Sequence, residues 1–406
     1  MAADYVRQLS LTKTTGQSLL SLAFQLGGVV AGLIVASSLG LFSREPWIIA
    51  LYPGILSMRG VVGGLFSGRL TTGLHLGAIK GALFGKEAKN LHSLWASITV
   101  LTFESATVLG FAALLLGTIS WGIGITEWVN IFTTIIATMG ISLLLISPIT
   151  IAIAFFSFGK GLDPDIIVYP VTATIADILV TLSYTLVLSV SFLTAAANAV
   201  LVVCVGFAAI VLFVSYRNRA KAQFTRTLRE ATVTMIIVAF IVSITGSVLS
   251  QISEALANST RIAPARLYTI YTALIGTMGG FGAIVGSTAT TKLALGTIDS
   301  SFRAIKEHRN QIAGAWIASV VIYMILALIS SLLTFPVNPP EALGFVTSLL
   351  ATNAFAAFSM TCVAFSVAIL TFHRGLDPDN FVIPIESAVA DAVTTIFLLL
   401  TLSLVG

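Results

Sequence analysis

Charge is what this sequence has least of. Of its 406 residues only 9% are Asp, Glu, Lys or Arg, where a soluble globular domain carries roughly 25%, so a chain surrounded by water on all sides is excluded. Cysteine is nearly missing too. Cys204 and Cys362 are the only two; both lie inside apolar runs and read as small core residues, which leaves no disulfide framework and no thiolate metal centre. The four histidines, His75, His92, His308 and His373, stand at helix ends or in loops without ligand spacing and are expected to be solvated or interfacial. The short segments of alternating polarity that mark a membrane β-barrel do not occur. The net charge of +4 is spread over loops, so it reads as membrane orientation and implies no nucleic-acid partner. Nor is a cleavable leader expected, since residues 1–16 are polar and the first apolar run is long enough to span.

Apolar residues are what remains. They make up 57% of the chain and arrive in runs of ~20 or more, the length an α-helix needs to cross a hydrocarbon core. Eleven such spans are predicted, the first near 17–41 and the last near 380–404, which makes this an all-α polytopic membrane protein in contact with the lipid bilayer. With the N-terminus in the cytoplasm, the inner segments hold most of the 21 basic residues, from Arg7 and Lys13 through the 217–229 loop to Arg374. Arg44, Arg261 and Arg266 fall on the outer side and Arg59 within a span. The asymmetry predicts a multi-pass protein of the cell membrane with its N-terminus inside and its C-terminus outside.

The chain is written twice. "GLDPDIIVYPVTATIAD" at 161–177 returns as "GLDPDNFVIPIESAVAD" at 375–391, identical at nine of seventeen positions, and "YPGILSMRGVVGGLFSGRLTTGLHLG" at 52–77 aligns with "YTALIGTMGGFGAIVGSTATTKLALG" at 271–296. Spans 1 to 5 therefore pair with spans 7 to 11, and span 6 is a connector. An odd number of crossings inverts a directly joined repeat, and one extra crossing restores its direction. The predicted layout is two parallel five-helix repeats, 1–192 and 226–406, joined by a linker helix and basic loop at 193–225, with a pseudo-twofold axis along the membrane normal.

Inside the spans the charges are few: Arg59, Glu104, Asp177, Glu386 and Asp391. An ionisable residue at that depth costs a few kcal/mol or more, so each is a functional candidate by default. Asp177 follows Asp165 by twelve residues, roughly 18 Å inward and near the midplane; Asp391 stands in the same relation to Asp379. Parallel repeats would bring Asp177 and Asp391 face to face, two carboxylates for one divalent cation, with a structural hydrogen-bonded carboxylate as the plain alternative. Pro170 and Pro384 each precede the aspartate by seven residues, on the same helix face, where a proline frees a carbonyl. Ala173, Thr174, Ser387 and Ala388 occupy the neighbouring turn. Magnesium keeps most of its waters and prefers one or two carboxylates, which suits this set; calcium would ask for more direct oxygens.

Gly60 and Gly279 belong to glycine-rich second and eighth spans, where they could serve close helix packing or bring backbone to a pore. Glu104 aligns with Ala318 and Glu386 with Thr172; either glutamate reads as structural or as the holder of a coupling ion. Asp163 and Asp377 could cap the helices that begin at the following proline, and together with Asp165 and Asp379 could draw cations to a cytoplasmic mouth.

These residues resemble a family. The two "GLDPD…P…AD" copies, the glycine-rich "MRGVVGGLFSGRLTTGLHLG" and the five-plus-one-plus-five layout are similar to the MgtE-type magnesium channels and the related solute carrier family 41 transporters. The resemblance implies a pore on the symmetry axis, lined by the second and fifth helices of each half, with hydrated Mg2+ as the transported ion at Asp177 and Asp391. It implies cytoplasmic metal binding at Asp163 and Asp377. It departs where the family's second helix has asparagine after glycine, since Val61 and Phe281 stand there. The soluble magnesium-sensing domains of the bacterial channels have no counterpart in this sequence. The expected function is divalent-cation transport and not enzymatic activity, with a Na+- or H+-coupled Mg2+ exchanger as the alternative. One chain holds both halves, so a monomer could contain a complete pore. An intramembrane aspartyl protease is a remote alternative, because Thr-Ile-Ala and Ala-Val-Ala precede the two aspartates where such enzymes carry Gly-x-Gly.

Overall fold

A computed structural model describes residues 11–405 apart from 81, 122–124, 161–163, 194–196, 258–262, 295, 297, 334–338 and 375–377. Among the described residues, eleven helices are long and apolar enough to cross a membrane. They are α1 (Leu11–Ser37, with a 3-10 turn at Phe24–Gly27), α2 (Pro46–His75), α3 (Lys89–Trp121), α4 (Ile125–Gly159), α5 (Pro164–Ser191) and α6 (Ala197–Asn218). They continue as α7 (Ala222–Ala257), α8 (Pro264–Ala294), α9 (Arg309–Leu333), α10 (Pro339–Arg374) and α11 (Pro378–Val405). Among the described residues there are no strands, and the protein is an all-α polytopic membrane protein.

The helix ends follow from the sequence. Helices α2, α5, α8, α10 and α11 all begin at a proline, whose fixed φ suits the first turn and whose missing N–H is not needed there. Helices α2 and α8 both finish at a left-handed glycine, Gly77 (φ 66°) and Gly296 (φ 65°). The amide of Gly77 bonds to the Leu74 carbonyl at 3.1 Å and that of Gly296 to the Leu293 carbonyl at 3.0 Å. These are the closing glycines of the sequence repeat, kept because a side chain is strained at that φ. Inside the helices, serine and threonine hydroxyls turn back onto the preceding turn, as Thr102 does on the Ile98 carbonyl at 2.8 Å, which satisfies them where no water is present.

By packing, the chain divides into two compact units. One is Ser38–Ser247; the other joins the chain up to Ser37 to Val248–Gly406. In the first, α2 lies among α3, α4 and α5, and α6 packs on α3, α4 and α5. The apolar stretch of α2 is 78% buried and that of α6 only 22%, so α6 is a peripheral helix. In the second, α8 lies among α1, α9, α10 and α11. The large apolar side chains that remain exposed, such as Leu212, Phe358 and Leu404, suit a hydrocarbon solvent.

These units cut the chain differently from the sequence repeat, because the first helix of each repeat packs with the other half. In the second unit a Cβ at Gly32 of α1 would collide with the Thr269 carbonyl oxygen of α8. In the first, a Cβ at Gly246 of α7 would collide with the Ala50 carbonyl oxygen of α2. Gly32 and Gly246 are equivalent in the repeat, as are Ala50 and Thr269, so the exchange is built twice from the same backbone contact. Four residues along, a Cβ at Gly28 would lie 3.0 Å from the Ala273 nitrogen, whereas one at Gly54 would meet the Leu109 side chain at 2.8 Å and the Val242 side chain at 3.5 Å. Only a glycine lets two helix backbones approach this closely. Arg266 lies in the first turn of α8, buried, with its guanidinium on the Ser331 hydroxyl at 3.3 Å and over the Phe345 ring.

Candidate functional site

The two aspartates stand on α5 and α11, and each unit holds its aspartate helix against its glycine-rich helix by the same hydrogen bond. In the first unit the buried Tyr52 hydroxyl of α2 meets the Thr181 hydroxyl of α5 at 3.0 Å. In the second the buried Tyr271 hydroxyl of α8 meets the Thr395 hydroxyl of α11 at 2.9 Å. Each threonine donates to the backbone carbonyl of the aspartate one turn before it, Thr181 to Asp177 and Thr395 to Asp391, both at 2.6 Å. With that donor committed to the carbonyl, the tyrosine is the donor between the two hydroxyls. The order Tyr–Thr–Asp is thus fixed in both halves. Asp177 is half-buried and Asp391 is buried.

The sequence signal for this arrangement is Asp-x-x-x-Thr, present at 177–181 and 391–395. The repeat alignment paired the tyrosines but assigned neither them nor the threonines a role.

The other site candidates fall into place unevenly. Thr174 and Ala173 are half-buried on α5. A Cβ at Gly279 would lie 3.9 Å from the Ser387 hydroxyl, in ordinary contact between α8 and α11, whereas a Cβ at Gly60 would meet nothing within 4 Å. Close packing therefore does not require glycine at 60. Val61 and Phe281, which replace the family's asparagine, are both buried. Pro170 and Pro384 lie within α5 and α11, their side chains outside the described residues. Asp163 and Asp377 lie outside them altogether.

Glu104, half-buried, and Glu386 and Arg59, both buried, are the other charges expected in the spans. The Thr232 hydroxyl of α7 donates to the Glu104 carboxylate of α3. Glu386 is 1% exposed and neither of its oxygens has a hydrogen-bond partner among the described residues. It fills a notch on α8 made by Gly282 and Gly286, where a Cβ at Gly286 would collide with the carboxylate. Arg59 is also 1% exposed, and none of its three guanidinium nitrogens has a partner. Among the described residues no three His, Cys, Asp or Glu side chains converge on a metal position.

One histidine corrects the sequence reading. His75, His92 and His373 are exposed as expected, but His308 is fully buried between α8 and α9, its Nε2 on the Thr288 hydroxyl at 2.8 Å and its Nδ1 without a partner. Burial, and then the adjacent Lys292, push its imidazole down to about 3. Lys292 is itself lowered by burial and raised by Glu307, and it donates to the Gln311 side-chain oxygen at 2.9 Å. The apolar neighbours that bury His308 come from a distant helix, Phe365 of α10 among them, which local sequence does not announce.

Comparison with known proteins bears on the same elements. The family model for MgtE, a divalent cation transporter, matches residues 52–187 and 271–401. The matches begin at Tyr52 and Tyr271 and include both Tyr–Thr–Asp sets, while the exchanged first helices and α6 stay outside. No curated protein and no solved structure matches the chain. With two matched stretches that cover most of its length, each centred on the duplicated helix pair, the chain belongs to the MgtE family of divalent cation transporters.

Proposed function

We propose that this protein moves Mg2+ across the membrane along a path on the pseudo-twofold axis, with Asp177 and Asp391 as its midplane carboxylates. The observation that supports it best is the duplicated Tyr–Thr–Asp arrangement: two buried hydrogen-bond chains of the same geometry hold the two aspartates at equivalent positions of equivalent helices. Two carboxylates suit a cation that keeps its inner waters, because the remaining ligands are water and the protein supplies charge and second-shell acceptors. Thr174 and Ser387 lie on the turn before each aspartate and are candidates for those water contacts. Asp163 and Asp377 are proposed to concentrate cations at the mouth, with the N-terminus in the cytoplasm.

Magnesium flux into proteoliposomes, read by an entrapped indicator, tests this. Asp177→Asn and Asp391→Asn are each expected to cut flux at least tenfold, since each halves the charge that offsets the desolvation of a divalent ion. Unchanged flux in either variant would overturn the site assignment.

A coupled exchanger is favoured by one specific observation, the Glu386 carboxylate buried without a donor, a position suited to a coupling Na+ or H+. If that reading holds, flux depends on an imposed Na+ or pH gradient and Glu386→Gln abolishes the dependence; gradient-independent flux removes it. The family is one of transporters and not of enzymes, and the protease reading has no structural observation behind it.

A further inference from the structure

Arg59 is the one fully buried guanidinium in the first unit whose three nitrogens all lack a partner among the described residues. A guanidinium stays charged in proteins, and an unpaired charge in a low-dielectric interior costs several kcal/mol. The packing frame does not need it. The equivalent position of the other half is Met278, 0% exposed, and the Tyr–Thr–Asp arrangement forms there without any cation.

Its position relative to Asp177 follows from the helix pair. Tyr52 bonds to Thr181, and four residues back along α2 the Ile48 carbonyl accepts from the Tyr184 hydroxyl at 2.6 Å, so α2 and α5 run antiparallel. Arg59 lies seven residues after Tyr52 on the same face of α2, the face turned to α5. The same step back along α5 from Thr181 reaches Thr174, and Asp177 is passed on the way, about one turn nearer the tyrosine. The guanidinium at present folds forward over Gly63, where a Cβ would lie 3.1 Å from its Nη1. Helical side chains ordinarily lean back toward the N-terminus, which for Arg59 is the direction of Asp177.

We propose that Arg59 is a tethered counter-ion for the midplane site: it pairs with the Asp177 carboxylate when no divalent cation is bound and is displaced over Gly63 when one enters. This rests on the reading of Asp177 as a cation ligand. The device works on one aspartate only, since Met278 leaves Asp391 without an equivalent, and it makes ion entry an exchange of charges. A mobile guanidinium takes over part of the charge that the departing ion leaves behind. The site then releases its ion more readily than two bare carboxylates would, which transport needs as much as binding.

Isothermal titration of the full chain in nanodiscs with Mg2+ tests it. Arg59→Met, the residue of the other half, is expected to tighten Mg2+ binding by about tenfold, the low end of what an adjacent opposite charge does to a carboxylate. Arg59→Lys, which keeps the charge but loses the fork, falls between. In an Asp177→Asn background, Arg59→Met is expected to change nothing. Unchanged or weaker binding in Arg59→Met overturns the proposal, and so does an equal effect in both backgrounds, which would make Arg59 a distant charge and not a partner of Asp177. Should Arg59→Met not fold, Arg59→Gln is read the same way. If Asp177→Asn alone binds Mg2+ like the parent, the site assignment itself fails; if Asp177→Asn loses binding while Arg59→Met is silent, only the counter-ion fails.

Discussion

Single buried polar residues carry the distinctive chemistry of this protein, and His308 is the one whose titration is open to direct test. Its imidazole is held down to about 3 by burial and by Lys292, against roughly 6.5 in an unfolded chain. Between these values the unfolded state takes up the proton and the folded state does not, so stability is full above about 6.5 and declines as pH falls toward 3. Thermal unfolding in detergent is expected to show this decline, and His308→Asn is expected to flatten it relative to the parent between pH 5 and 7. A ring-proton resonance assigned to His308 by its loss in His308→Asn, if it titrated near neutrality, would contradict the burial. Arg59 and Glu386 stand differently, because nothing among the described residues neutralises either; the sequence marked both as charges within spans, but only packing shows them without partners.

At the level of elements, the helix pairs α2–α5 and α8–α11 are the most clearly duplicated part of this one chain. Prolines start all four helices, left-handed glycines end α2 and α8, and the tyrosine-to-threonine bond fixes the register of each pair. Tyr52→Phe and Tyr271→Phe each remove one buried hydrogen bond from the same environment, and each is expected to cost about 1 kcal/mol. Denaturation should show losses that agree within about 0.5 kcal/mol; a large difference would mean that the two halves share a sequence pattern but not an energetic role. Both substitutions are also expected to weaken Mg2+ binding, because the threonine they release positions the aspartate backbone.

For the whole molecule, the exchange of first helices is the main organising feature. The whole of α1 and the part of α7 up to Ser247 pack with the other half, and each covers part of that half's second helix. Gly32→Ala and Gly246→Ala place a methyl against a backbone carbonyl that cannot rotate away, and each is expected to cost roughly 1–3 kcal/mol or more. Gly16→Ala meets nothing within 4 Å and is expected to be neutral or slightly stabilising, since alanine favours a helix over glycine. Thermal unfolding of the three variants checks both points; a harmless Gly246→Ala would sink the exchanged packing on the α2 side.

Hydropathy by itself determined the all-α polytopic membrane class and the eleven candidate spans found among the described residues, because a ~20-residue apolar run has one low-energy arrangement in hydrocarbon. Internal repetition determined which spans correspond, and it singled out Asp177 and Asp391 as the site proposed above, since an ionisable residue within a span is costly. What the tertiary structure decided is which helix packs on which. Lipid and helix surfaces are equally apolar, so the preference of α1 for α8 and of α7 for α2 rests on glycine-to-backbone contacts between residues more than 190 positions apart, and hydropathy carries no trace of them. The same holds for Arg59, Glu386 and His308. Their charge or polarity was plain in the sequence, but whether it is met by a partner depends on neighbours that only the fold brings near.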